Sequence, residues 1–165
     1  MNQGKYLSDE NPNTSVKTSF YCGVAGYPEK HYSATSLDED IKNLKAKVDA
    51  GAQYIVTQMF FDNEKYYEFV KKCRAIGITV PIIPGLKPIG FKTQVDVLPK
   101  IFACHLPEEL EKNLRQCKTD ADAARVGTAW SIQRAKDLIK LGVPSLQWFT
   151  YSVPSQVVEI AKAVY

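Results

Sequence analysis

Three groups of side chains have types and spacings that fit chemistry. The loop Tyr27-Pro28-Glu29-Lys30-His31 gathers an aromatic ring, a carboxylate and an imidazole in one short stretch. Such a set grips a planar cofactor by stacking and hydrogen bonding; a solvated loop with no ligand is the competing reading. Asp40, Asn43 and Lys47 stand at i, i+3 and i+7, which puts them on one helix face, displaced from the apolar stripe Ile41, Leu44, Val48. That face would meet a phosphate or ribose hydroxyls, or else it is simply the wet side of the helix. Thr57 and Gln58 interrupt a run that is otherwise apolar from Ile55 to Phe61. Burying an uncharged amide without a partner costs about 1–3 kcal/mol. Gln58 therefore bonds either neighbouring backbone or a ligand.

The elements that must position these groups read as repeated strand and helix units. Residues 1–16 are polar and rich in Asn, Ser and Asp, and predict a loose arm. Ser19 to Gly26 reads as a short buried strand. Ser36 and Glu39 fit a capping box ahead of a helix ending near Gly51. Tyr54 to Phe61 is a nearly continuous β-prone run, as a parallel sheet covered by helices requires. Asp62 is a good N-cap for the next helix, which Gly77 stops. A third unit opens on Ile78-Thr79-Val80-Pro81-Ile82-Ile83, followed by helical segments over about 91–103, 107–117 and 119–141. In the last of these Val126, Trp130, Ala135, Leu138 and Ile139 point inward. The fourth strand is Ser145 to Tyr151, and Pro154 suits the first turn of a closing helix over 154–164.

Four consecutive βα units predict an α/β fold with a parallel sheet and right-handed crossovers. Two architectures satisfy that pattern, a doubly wound open sheet or part of an eight-stranded barrel, which normally takes about 250 residues. In both, ligands gather at the carboxyl ends of the strands, where Tyr27 and Gln58 fall.

Composition narrows the function classes. A chain of 165 residues, 45% hydrophobic and 24% charged, makes one globular domain. Its 21 basic and 18 acidic residues are scattered, which argues against nucleic acid, whose phosphates need clustered cations. No apolar run approaches a membrane span, and the polar start lacks a signal-peptide core, so a cytoplasmic protein is expected. Cys22, Cys73, Cys104 and Cys117 form no C-x-x-C pair, and His31 and His105 lack ligand-like spacing. No metal site is expected, and the cysteines read as buried or semi-buried free thiols. No glycine-rich nucleotide loop or nucleophile elbow is present. From the residues alone the reading stops at an enzyme-like α/β domain.

Gly23-Val24-Ala25-Gly26-Tyr27-Pro28-Glu29-Lys30-His31, Leu44 to Ala52, Thr57-Gln58-Met59-Phe60-Phe61-Asp62 and Pro81-Ile82-Ile83-Pro84-Gly85 resemble, in order and spacing, methylenetetrahydrofolate reductase. That family is a flavoprotein with an eight-stranded β/α barrel, which reduces 5,10-methylenetetrahydrofolate to 5-methyltetrahydrofolate with NAD(P)H and FAD. The resemblance implies FAD contacts at Tyr27, His31, Ala34, Asp40, Asn43 and Lys47, and folate contacts at Gln58 and Gln94. An amide donates and accepts at once, which suits the mixed edge of a pterin. The resemblance begins just before the family's fifth strand. It therefore implies a single-domain half-barrel, 1–165, whose proton-donating acid and flavin-proximal aspartate lie in the other half; no catalytic residue is carried over. Departures are Gln147-Trp148-Phe149-Thr150 for the family's His-Phe-Tyr-Thr run, Val153 near a folate-contacting arginine, and Ala46 at a position that is sometimes arginine. A half-barrel has two open edges, to be closed by a second copy, a complementing chain or the chain's own flanks. Three readings remain: a reductase unit needing its other half, a half-barrel that binds flavin or nucleotide without turnover, and a self-associating scaffold.

Overall fold

A computed structural model describes residues 17–150 and 154–165. The expected polar arm 1–16 lies outside the described residues. The element order is β1 (Gly23–Gly26), α1 (Leu37–Asp49), β2 (Tyr54–Thr57), α2 (Asn63–Ala75), β3 (Ile82–Ile83), β4 (Gly85–Leu86), α3 (Gln94–Phe102), α4 (Glu108–Gln116), α5 (Asp120–Lys140), β5 (Gln147–Trp148) and α6 (Pro154–Val164). Every ladder is parallel: β1 pairs β2 and β2 pairs β3, while β4 pairs β5. Strand neighbours thus follow chain order, a partial barrel-like α/β arrangement. None of the described helices is long and apolar enough to cross a membrane.

The strands are shorter than the apolar runs, for local reasons. Ser19–Cys22 carries no ladder; instead Gln53 donates its backbone N–H to the Cys22 carbonyl, and its side-chain oxygen accepts the Cys22 N–H. β2 ends at Thr57 because the next residues turn into two different cores. Phe60 packs with Ile55, Phe69 and Leu86, whereas Met59 and Phe61 pack with Ile89, Leu98 and Leu110. Ile78–Val80 is not strand either: the Arg74 guanidinium donates to the carbonyls of Ile78 (2.6 Å) and Val80 (3.0 Å), taking the acceptors that a ladder would use. The third strand is split at Pro84, which has no N–H to contribute. Before it the chain pairs with β2, after it with β5, and the buried Thr57 hydroxyl accepts the Gly85 N–H at 2.9 Å across the break. Thr57 is therefore a structural link across the break.

Capping agrees with the chemistry of the sequence, with one correction. Asp62 caps α2 by accepting from Glu64 N–H at 2.9 Å. Ser36 caps α1 by accepting from Glu39 N–H at 3.1 Å, but the Glu39 carboxylate reaches back one residue further, to the Thr35 N–H and hydroxyl, so the box is not reciprocal. A complete box forms instead at α5 between Thr119 and Asp122.

α5 buries Ala123, Gly127, Thr128, Ser131, Arg134, Ala135 and Leu138. Ala135 and Leu138 lie inside as expected, and Val126 and Trp130 are half-buried against the second core. Ile139 does not follow, being 39% exposed. The helix approaches its neighbours through small residues, which rotates the bulky stripe sideways. Gly127 marks the closest approach: a Cβ there would sit 2.0 Å from the Ile89 carbonyl oxygen. Gly127→Ala is expected to destabilise the fold by about 1–3 kcal/mol through overpacking, despite a helix-propensity gain of about 0.8–1.0 kcal/mol. A thermal melt that rises in the variant would contradict that contact.

Candidate functional site

The carboxyl end of β1 opens directly into the Tyr27 loop. Lys30 closes a turn by donating its N–H to the Tyr27 carbonyl at 3.1 Å. It does so in the left-handed region, at φ 74°, where a non-glycine residue is held only by its surroundings. Its ammonium donates to the Ala34 carbonyl at 2.9 Å and to that of His31 at 3.3 Å. Ala34 in turn donates its N–H to the His31 carbonyl. The loop is then tied to α1: the His31 N–H donates to the Asp40 carboxylate at 2.8 Å.

Tyr27, His31, Ala34 and Asp40 are thereby brought into one place. The Tyr27 and His31 rings meet edge to face at 4.7 Å, and Tyr32 lies against His31 at 4.4 Å. Burial, then the negative charge of Asp40, raises the Tyr27 phenol above its ordinary range, keeping it a neutral donor. The His31 Nδ1 is engaged with the Ser33 hydroxyl at 2.7 Å, leaving Nε2 as the ring atom that a ligand would meet. Asn43 and Lys47 are exposed, three and seven residues beyond Asp40 on the same helix. A hydroxyl- and phosphate-bearing ligand fits this donor set: a carboxylate for hydroxyls, an amide, and a point charge for phosphate.

Gln58 follows the last residue of β2. Its N–H donates to the Gly26 carbonyl at 2.8 Å, and its side-chain Oε1 accepts the Met59 N–H, also at 2.8 Å. Half of the amide is thus satisfied by adjacent backbone, and the NH2 group takes no partner among the described residues. Gln58 keeps its NH2 as a free donor, while one acceptor site of its oxygen is used by Met59. It borders a cavity of about 360 Å³ on the sheet face, with Gly23, Ala25, Tyr54, Val56 and Phe149. That face is covered less than the other: Ala25 is exposed and Val56 half-buried, while Ile55 and Thr57 on the helix side are fully buried.

Gln94 is placed elsewhere. At the start of α3, its Oε1 accepts the Gly90 N–H at 2.7 Å and the Phe91 N–H at 3.2 Å, organising the loop after β4. It lines a separate cavity of about 630 Å³ with Lys87, Thr128, Thr150 and Gln156. Lys87 is buried, its ammonium 2.7 Å from the Pro88 carbonyl, and burial lowers its pKa. The two cavities flank the end of β5, Phe149 bordering one and Thr150 the other. Lys87 escaped the sequence reading because a lone lysine after a strand looks solvated. Glu29 carries no sequence signal of its own, standing inside the Tyr27 loop. Yet its carboxylate accepts the His105 N–H at 2.9 Å, joining the Tyr27 loop to the α3–α4 connection.

The four cysteines are free, two buried and two half-buried. Burial pushes the Cys73 and Cys104 thiols up to about 12, so neither is a thiolate nucleophile at neutral pH.

The family model for methylenetetrahydrofolate reductase matches residues 10–164. A relative from Caenorhabditis elegans, named probable methylenetetrahydrofolate reductase (NADPH), is 38% identical over 147 residues, 88% of this chain and 22% of its own. The 5,10-methylenetetrahydrofolate reductase of Escherichia coli K12 is 34% identical over 146 residues, 88% of this chain and 49% of its own. Among solved structures, an uncharacterized protein from Clostridium thermocellum that binds two copies of 5-methyl-5,6,7,8-tetrahydrofolic acid superposes with a TM-score of 0.56. It shares 20% identity, over 86% of this chain and 51% of that one. The chain therefore spans at most about half the length of these relatives. The match along nearly the whole chain shows that it belongs to the methylenetetrahydrofolate reductase family.

Proposed function

We propose that this chain forms the carboxyl-terminal half of a methylenetetrahydrofolate reductase barrel, carrying most of an FAD site and part of a folate site. The observation that carries this reading is the His31 N–H to Asp40 carboxylate bond at 2.8 Å, which seats the Tyr27 loop on the helix face bearing Asn43 and Lys47. Tyr27, His31 and Ala34 would hold the ring and ribityl portions of FAD, Asp40 and Asn43 its hydroxyls, and Lys47 a phosphate. When bound, the flavin supplies hydride transfer between NAD(P)H and the folate, while the protein supplies position and electrostatics.

The chain's own residues orient and shield. Gln58 donates from its NH2 group to an acceptor on the pterin, and its Oε1 is steadied by Met59. Gln94 keeps the loop after β4 in place with the oxygen of its amide and offers the other end to the cavity. Replacing Gln58 with Leu is expected to weaken 5-methyltetrahydrofolate binding about tenfold and to leave FAD affinity unchanged. Tritium- or calorimetry-based titration of both ligands checks this. Loss of folding instead would make Gln58 a structural residue.

The less-covered sheet face supports a second element of this reading, a partner that completes the barrel. The outer edges of β1 and β5 carry no strand among the described residues. A complementing half or a second copy would pair there, as closed barrels do to remove edges. Solution mass distinguishes the two.

A further inference from the structure

A small cavity of about 10 Å³ lies between the Tyr27 loop and Gln58, bounded by Tyr27, Glu29, Gln58, Met59, Phe102 and Cys104. That is the space of one water centre. The cavity is built by sequence-local devices. Ala103 ends α3 in the left-handed conformation, at φ 51°, turning the chain so that the His105 N–H reaches the Glu29 carboxylate at 2.9 Å. One Glu29 oxygen, Oε2, is satisfied by that bond. The other, Oε1, is buried with no hydrogen-bond partner. Gln58 lines the same cavity; its Oε1 accepts the Met59 N–H, and its NH2 group has no hydrogen-bond partner among the described residues. A buried carboxylate oxygen without a donor is costly, and the space that Glu29 shares with Gln58 fits one water.

We propose that Glu29 is a positioning residue: through a single water in this cavity it accepts a hydrogen bond that also fixes the Gln58 NH2, and so aims the second amide hydrogen at the folate. The water donates to Glu29 Oε1 and accepts from Gln58 Nε2. The Tyr27 loop, proposed to hold FAD, is then coupled to the residue proposed to hold folate. Glu29 remains in place through His105, and burial raises its pKa above the usual carboxylate range. This inference rests on the assignment of Gln58 to folate.

The test is binding of 5-methyl-5,6,7,8-tetrahydrofolate, by calorimetry, to the full chain and to the variants Glu29→Leu, Glu29→Gln, Gln58→Ala and the double variant Glu29→Leu/Gln58→Ala. Glu29→Leu is expected to weaken binding about fivefold, the loss of one uncharged hydrogen bond. Glu29→Gln keeps an oxygen for His105 but turns a donor toward the water where Glu29 accepts, so it is expected to weaken binding about as much as Glu29→Leu. The double variant is expected to bind no worse than Gln58→Ala alone, because Glu29 acts only through Gln58. Additive losses, or a Glu29→Gln variant that binds like the parent, would overturn the inference while leaving the folate reading intact. With the barrel completed by its other half, a parent that does not bind, or that binds with Gln58→Ala unchanged, overturns the folate assignment and the inference with it. Thermal melts of each variant separate loss of fold from loss of aim: Glu29→Leu with a lowered melting temperature and an unchanged affinity also counts against the proposal.

Discussion

Arg134→Ala is expected to lower the free energy of unfolding by about 3–5 kcal/mol. The residue sits on the inner face of α5 and is buried. Its guanidinium lies 4.6 Å from the Phe60 ring centroid and 5.9 Å from that of Phe61. Its Nε donates to Asn63 Oδ1 at 3.1 Å, and the Asn63 amide donates back to the Arg134 carbonyl at 3.1 Å. This reciprocal pair clamps the start of α2 to α5, next to the loop that carries Met59, Phe60 and Phe61. Truncation empties the space over two aromatic rings and strips Asn63 of a donor. The charge itself is a burden: burial pushes the guanidinium down to about 9, against the pull of Asp62, Tyr67 and Glu29, and Nη2 has no hydrogen-bond partner among the described residues. At neutral pH the group is therefore still charged. Arg134→Met, which keeps volume and removes charge, is expected to stay within about 1 kcal/mol of the parent. Urea titrations followed by circular dichroism measure both. If Met is as damaging as Ala, the guanidinium's polar contacts, its bond to Asn63 above all, are what the fold needs, and packing is the wrong explanation.

That residue also illustrates what a sequence reveals and what it hides. The α5 stripe was legible at Ala135 and Leu138, but Arg134 stands four residues after Trp130 and so belongs to the buried side, where a charged residue is discounted by type. Helix starts were legible at Ser36 and Asp62 because capping depends on side chains a few residues apart. Strand lengths were not, since an apolar run serves equally as strand or as a turn into a core, and Met59-Phe60-Phe61 does the second. Pro84 was visible in the sequence, yet its consequence, a strand that changes partners, depends on the Thr57 hydroxyl bridging to Gly85 from another strand. Within the site, the sequence presents the loop and the α1 face as separate features. Their union is a backbone bond, His31 N–H to Asp40, and backbone groups carry no sequence signal. The separation of Gln58 from Gln94 was hidden for a related reason: each amide is partly spent on local backbone, in directions that only the fold decides.

Replacing Asp40 and Lys47 together with Ala is expected to abolish FAD retention, a loss of about a hundredfold or more in affinity. The two act on different parts of the ligand. Asp40 holds the His31 backbone, so its loss releases the Tyr27 loop as well as a hydroxyl partner; a hydrogen bond to a charged group is worth about 1.5–3 kcal/mol. Lys47 lies exposed in the last turn of α1, where its attraction for a phosphate is screened by salt. Its share of the loss should therefore shrink as ionic strength rises, while that of Asp40 should not. The fold should survive: α1 is held by the buried Ile41 and Leu44 and by its Ser36 cap.

Titration of FAD into the purified chain and into the Asp40→Ala/Lys47→Ala variant, read by the flavin absorption spectrum and by circular dichroism on the same samples, tests the central assignment most directly. Saturable binding by the parent, with loss in a variant of unchanged helical content, is the result expected. Equal flavin binding by both proteins, or a parent that binds none even when its barrel is completed by the other half, would contradict the assignment of the Tyr27 loop and the α1 face to the cofactor.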